Sequence, residues 1–328
     1  MGKARDKRVK DINQRKGTAV AAAPSKKIEK LGKRMWQYRW MYLFLVPAVI
    51  WYILFAYLPI YGVTIAFKDY NIVKGVWDSP WVGLQNFARI FNDPNFSRAF
   101  RNTIFISFLK LIFVTPCGLV LALLLSEVKN KLFRGTVQSL SMLTHFFSWV
   151  VIASIMTVLL SPTTGVVNEI ISMLGGTPIY FLAEDNWFIF WVVVSDIWES
   201  AGWNALVFIA AIGGISPELY EAASIDGASR WQKMFHITIP CLSGTICTVL
   251  ILKLGSLLSG NFNQIFNLYN SAVMDVADIL DTYVYRLGIN SMQYSYSSAV
   301  SLFQNMISLV LVFIVNGIVK RINQEGIV

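Results

Sequence analysis

Four ionisable side chains stand inside long apolar runs of this 328-residue chain: Lys110, Asp196, Glu199 and Lys253. A charge at the centre of a bilayer costs about 3 kcal/mol on insertion scales, so such groups normally face a cavity or one another. Opposite charges could tie two helices together, a carboxylate could carry a proton, or the group could line a path for a polar solute. Asp196, Glu199 and Trp203 are spaced i, i+3, i+7 and share one helix face, which excludes Trp198. A structural ion pair and a polar lining with Trp203 as a stacking platform both fit that spacing. No nucleophile–base constellation accompanies them. The two histidines, His145 in an apolar run and His236 beside a polar loop, are expected to pack rather than catalyse. Cys117, Cys241 and Cys247 lack the spacing of a metal or redox motif and are expected to be small buried hydrophobes.

The elements that must position these residues are membrane spans. Hydrophobic residues make up 55% of the chain and charged ones only 14%, and the mean hydropathy is +0.54. These values fit an all-α polytopic membrane protein and exclude an ordinary soluble domain. A crossing takes about 20 apolar residues. Six segments qualify, at about 41–67, 103–125, 136–160, 187–215, 237–258 and 298–319. The net charge of +9 is local, since residues 1–39 hold thirteen Lys/Arg against three Asp/Glu. That tail therefore sets topology and attracts lipid, and no nucleic-acid partner is expected. It is expected to stay in the cytoplasm, residues 1–34 being largely disordered and 35–328 forming the membrane domain. Lys129, Lys131, Arg134, Arg230, Lys233, Lys320 and Arg321 then fall on the same side, so both termini are cytoplasmic. The first external loop breaks the pattern with five basic residues. On this topology Lys110, Asp196 and Lys253 lie about 8–14 Å below the outer interface, at about 1.5 Å per residue. A charge-paired layer is expected there.

Two connections are more than linkers. In "VGLQNFARIFNDPNF", Leu84, Phe87, Ile90 and Phe91 share a helical face, which predicts an amphipathic helix lying at the membrane interface. In "PELYEAASIDGASRWQKMFHITIP", Ser216 can cap a helix, Pro217 suits its first turn, and Glu218 and Glu221 sit near its positive end. Asp226-Gly227 then allows a turn, and 228–236 can form a second short helix before Pro240. Held between two spans, this helix–turn–helix over 216–240 is suited to passing force to a soluble partner.

Glu221, Ala222, Ala223, Gly227, Ile237 and Pro240 follow the spacing E-A-A, three residues, G, nine residues, I, one residue, L, P, with Ile239 at the usual Leu. The segment resembles the coupling loop of binding-protein-dependent ATP-binding-cassette importer permeases. "VGLQNF" with "DPNF", "GVVN" at 165–168, "YEAASIDGA" at 220–228 and "DTYVYR" at 281–286 are similar to the LplB-type branch of the carbohydrate-uptake permeases. The resemblance implies a MalF/MetI-like type I importer fold in a bacterial cytoplasmic membrane, importing complex oligosaccharides. It implies that Glu221, Ala222, Ala223, Asp226, Gly227 and Arg230 face a nucleotide-binding ATPase. It further implies a second homologous permease and an extracytoplasmic solute-binding protein. The chain lacks G-x-x-x-x-G-K-[ST], so ATP and Mg would be bound by the partner, with no cofactor or metal in this chain. For the path of the sugar, the expected residues are Asp196, Glu199, Trp203, Lys253 and Lys110. The rival reading is a proton-coupled secondary transporter with Asp196 or Glu199 as carrier. Six spans without evident inverted repeats speak against it, and a membrane enzyme would need a catalytic cluster.

Overall fold

The computed structural model describes residues 36–323, so the basic tail expected to be disordered lies outside the described residues. The chain divides into two compact units at Tyr61/Gly62. In the first unit, α1 (Arg39–Tyr52) continues through a π turn at Ile53–Tyr57. Its apolar side chains are exposed throughout, as suits a lipid-facing helix.

The second unit is helical, and no strand forms among the described residues. Its elements are α2 (Gln85–Asn92), α3 (Pro94–Glu127), α4 (Lys131–Leu143), α5 (Trp149–Leu159), α6 (Val166–Met173) and α7 (Asp185–Gly213). They continue with α8 (Pro217–Ile225), α9 (Arg230–Lys233), α10 (Ser243–Gly255), α11 (Phe262–Leu268), α12 (Leu280–Tyr285) and α13 (Tyr294–Asn323). Among the described residues, four helices are long and apolar enough to cross a membrane: Arg39–Phe67, Pro94–Glu127, Asp185–Gly213 and Tyr294–Ile318. The other two expected spans are broken. Residues expected to form one helix over 136–160 bend by 102° between Phe146 and Trp149, and Arg230–Cys241 meets Ser243–Gly255 at 58°. At the first break the chain leaves the helix at Phe147 (φ −78°, ψ 137°), and Ser148 starts the next helix. It is extended (φ −68°, ψ 149°), and its hydroxyl accepts from the Val151 amide at 3.4 Å, so it caps a new helix rather than continuing the old one.

α3 and α7 pack along each other and carry much of the core. Ile106, Ile152, Phe188 and Val192 are buried in one cluster, and Ala122, Ala205 and Phe208 in another. A third cluster gathers Ile90, Phe96, Leu280, Tyr283 and Tyr296. Here the expected interfacial helix is corrected. Ile90 of α2 is fully buried and Phe87 packs against the same cluster, whereas Leu84 and Phe91 stay exposed, so α2 docks half of its apolar face into the protein. Asp93 fastens it. Its carboxylate caps α3 through the Asn95 amide at 2.9 Å and accepts from the Tyr283 hydroxyl at 2.5 Å and the Tyr296 hydroxyl at 3.0 Å. Burial raises the Asp93 pKa, but these hydrogen bonds outweigh it and hold the group below its ordinary 3.8.

Three of the five basic residues of the first external loop are engaged within the protein. Lys68 Nζ donates to the Val76 carbonyl at 2.6 Å, Arg89 lies 4.1 Å over the Tyr296 ring, and Arg98 pairs with Asp275 at 2.5 Å. The cysteines correct another expectation: Cys241 is exposed, and Cys117 and Cys247 are only partly buried.

Candidate functional site

The four intramembrane charges meet at one cavity of about 370 Å³, lined from α3, α7, α10, the α4–α5 break and residues 256–261. α7 presents Asp196, Glu199 and Trp203 to it, together with Ser200 and Asn204, while Trp198 lies off the lining. Lys110 of α3 places Nζ 2.9 Å from Asp196 Oδ2 and donates also to Gln264 Oε1. Gln264 is itself fully buried, its amide donating to the Val192 carbonyl at 2.7 Å and the Ser195 hydroxyl at 2.9 Å. This ion pair is therefore held from three sides.

Glu199 lies differently. Its Oε1 is 2.9 Å from His145 Nδ1, a close contact without hydrogen-bond alignment. The His145 ring stacks on Trp203 with centroids 4.6 Å apart and planes at 16°. The α4–α5 break sets His145 there. Thr144 Oγ1 donates to the Trp198 carbonyl at 2.8 Å, and Gly202 lets the two backbones touch. A Cβ on Gly202 would stand 2.1 Å from the Ser141 carbonyl oxygen. Lys253 of α10 also lines the cavity. It is exposed, and among the described residues no carboxylate pairs with it within 4.0 Å. The expected charge-paired layer thus contains one direct pair, Lys110–Asp196, while Glu199 contacts His145 and Lys253 stands exposed at the cavity.

Residues 256–261 form the lip of the cavity. Asn261 holds a left-handed conformation (φ 62°, ψ 71°), uncommon for a residue with a side chain. Gln304 of α13 fixes the segment by donating to the Leu258 carbonyl at 2.7 Å and to Asp281 Oδ1 at 2.8 Å. Burial pushes the Asp281 pKa above 3.8, against hydrogen bonds from Gln304 and the Gly260 amide. The "DTYVYR" run at 281–286 is thereby accounted for. Asp281 braces the lip, Tyr283 holds Asp93, and Arg286 forks onto buried Asp278 at 3.0 and 2.6 Å. Sequence reasoning missed His145 and Asn261 as cavity residues, and Gln264 as the buried amide that holds Lys110.

The second candidate region is α8 and α9. Ser216 Oγ accepts from the Glu218 amide at 3.3 Å, and Ser229 with Gln232 forms a capping box at the start of α9. Between them Gly227 takes φ +76°, where a side chain would be strained. Tyr220 Oη lies 2.9 Å from Thr238 Oγ1, and Lys233 Nζ donates to Ser224 Oγ at 2.6 Å, locking the two arms. Glu221, Ala222, Asp226, Gly227 and Arg230 are exposed and Ala223 is partly so. Ile225 is 88% and Trp231 65% exposed, an apolar load unusual for a free surface.

Broken and continuous membrane-length helices around a charged cavity, with a rigid exposed helix pair between two of them, define a membrane transport subunit. The chain belongs to the family described as binding-protein-dependent transport system inner membrane component, whose sequence pattern matches residues 114–325. It is 43% identical to Protein LplB of Bacillus subtilis (strain 168), over 88% of this chain and 91% of that one. It is 40% identical to the polygalacturonan/rhamnogalacturonan transport system permease protein YteP of the same strain, over 94% and 99%. A solved bacterial alginate transporter, in complex with an alginate pentasaccharide-bound periplasmic protein, contains a chain 37% identical to this one. The two match with a TM-score of 0.84 over 91% of this chain and 100% of that one.

Proposed function

We propose that this chain is one transmembrane subunit of an ATP-driven importer of complex oligosaccharides, spanning a bacterial cytoplasmic membrane six times with both ends inside. The observation that carries the reading is the cavity. Paired and unpaired charges, amides, hydroxyls and Trp203 line one space between long apolar helices, a composition suited to a hydroxylated solute. The relatives' carbohydrate substrates support the same class. Lys110 and Asp196 hold the helices together, Trp203 offers a ring face, and Lys253 and Glu199 supply polar contacts.

ATP and Mg are bound by a partner ATPase dimer, which docks on Glu221, Ala222, Ala223, Asp226, Gly227 and Arg230. Because α8 and α9 are locked to each other and joined to α7 and α10, closure of the ATPase dimer rocks those helices and changes access to the cavity. A second homologous permease supplies the other half, and an extracytoplasmic solute-binding protein delivers the sugar. Proton carriage by Asp196 is disfavoured by its tight contact with Lys110.

Expression with the neighbouring permease, ATPase and binding-protein genes tests this. The complex should hydrolyse ATP faster with loaded binding protein and take up oligosaccharide in proteoliposomes. Uptake that persists without ATP and collapses with an uncoupler would refute it.

A further inference from the structure

Helix α2 was expected to rest on the membrane and instead is built into the protein, yet a large apolar surface is displayed just before it. Residues 68–84 form a hairpin in which Ile72 is 58%, Val73 94%, Trp77 77% and Trp81 63% exposed. The tip of a connection facing water is normally polar, and this one carries adjacent Ile and Val.

Nor is it a loose loop. The Asp69 amide donates to the Pro80 carbonyl at 2.9 Å, the Asn71 amide to the Ser79 hydroxyl at 3.1 Å, and the Gly75 amide to the Asn71 carbonyl at 2.9 Å. Lys68 Nζ reaches the Val76 and Trp77 carbonyls from inside, and Trp81 stacks on Phe67 at 5.6 Å and 6°. Apolar side chains held outward on a fixed frame bear the full cost of hydration unless something covers them.

Depth says what covers them. The Tyr70 amide donates to Ser295 Oγ at 2.8 Å, and the Tyr70 and Tyr294 rings meet edge to face, so the hairpin is fastened to the first turn of α13. Lys320 and Arg321 mark the opposite end of that helix. Ser295 stands 25 residues from Lys320, a rise of about 37 Å, or about 35 Å along the membrane normal at a common tilt. A hydrocarbon core of about 30 Å inside a membrane of about 40–45 Å then places Ser295 in the headgroup layer. That is the level at which Trp is enriched and Lys can reach phosphate oxygens. Trp77 and exposed Lys74 fit both roles.

We propose that residues 68–84 are a membrane-surface anchor, with Ile72, Val73 and Trp77 entering the outer headgroup layer and Lys74 beside the phosphates. The contact fixes α2 and the outer end of α13 against the bilayer while α7 and α10 move.

The test uses the full complex in phosphatidylcholine nanodiscs, with Val73→Cys or, separately, Ile72→Cys carrying an environment-sensitive fluorophore and the unsubstituted chain as background. At both positions the anchor predicts blue-shifted emission. It also predicts quenching by lipid spin-labelled near the headgroup at least twofold stronger than by lipid labelled deep in the chain. Water-like emission without lipid quenching overturns the proposal. So does emission that ignores lipid and shifts only on adding a solute-binding protein, which would make the hairpin a protein-docking surface.

Discussion

The cavity and the α8–α9 segment are built on opposite plans. The cavity is assembled from residues far apart in the chain, Lys110 meeting Asp196 of another helix beside it and buried Gln264 behind it across 154 positions. The α8–α9 segment is assembled from neighbours. Its caps, its turn and its Lys233–Ser224 bond join residues no more than nine apart, and the Tyr220–Thr238 contact spans eighteen. A region closed by short-range bonds can move as one body, whereas a region made of distant contacts changes shape when its helices shift. That contrast suits a lever acting on a cavity.

The contrast can be broken by mutation, and the largest effect should come where α4 and α7 touch. Gly202→Val should abolish assembly, because the new side chain has no room against the Ser141 carbonyl. Size-exclusion yield of the complex checks this. Next is Asp196→Ala, which leaves the mostly buried Lys110 without its counter-charge and should cost up to about 3 kcal/mol, the low end for a broken buried pair because Gln264 still accepts from it. Replacing both as Lys110→Met with Asp196→Leu should recover most of the loss in thermal unfolding. Equal destabilisation by the single and double changes would show that the pair does not act as a unit.

In the lever, Glu221→Arg should leave melting within about 1 °C of wild type, as surface changes usually do. Its stimulated ATP hydrolysis should nevertheless fall at least tenfold, about 1.4 kcal/mol in coupling. Lys253→Met should retain assembly and lose uptake; lost assembly would make Lys253 structural instead.

A smaller effect separates two carboxylates outside the spans. Asp93 is held below 3.8, so its stabilisation is present above that pH and is lost as pH falls through the lowered value. Asp281 is raised above 3.8, so its contribution is complete below that pH and is lost as pH rises through the raised value. Melting curves between pH 3 and 7 should therefore flatten at the acid end in Asp93→Asn. In Asp281→Asn they should instead lose the part of the slope just above 3.8.

The same difference in range decides what was legible in the sequence. Ser216, Pro217, Gly227 and the small residues between them announce a helix–turn–helix because each acts on its immediate neighbours. Hydropathy shows the long helices for the same reason. The break inside residues 136–160 carries no Pro or Gly, and Ser148 ahead of an apolar run was the one available sign of a new helix start. Asp196, Glu199 and Trp203 could be grouped because a helix fixes their relation. His145 and Asn261 could not, since tertiary packing brings them to the cavity, nor could Gln264, which packing brings to Lys110. Helix α2 misled because amphipathicity shows that a face is covered without showing whether lipid or protein covers it.

The most direct measurement is a cross-link from Glu221→Cys in intact membranes, read alongside its labelling by a membrane-impermeant thiol reagent. A lever inside the cell should resist the reagent from outside, cross-link to an ATPase subunit, and shift in yield when ATP is bound. Labelling from the outer face, or a cross-link only to lipid or to no nucleotide hydrolase, would contradict the coupling role.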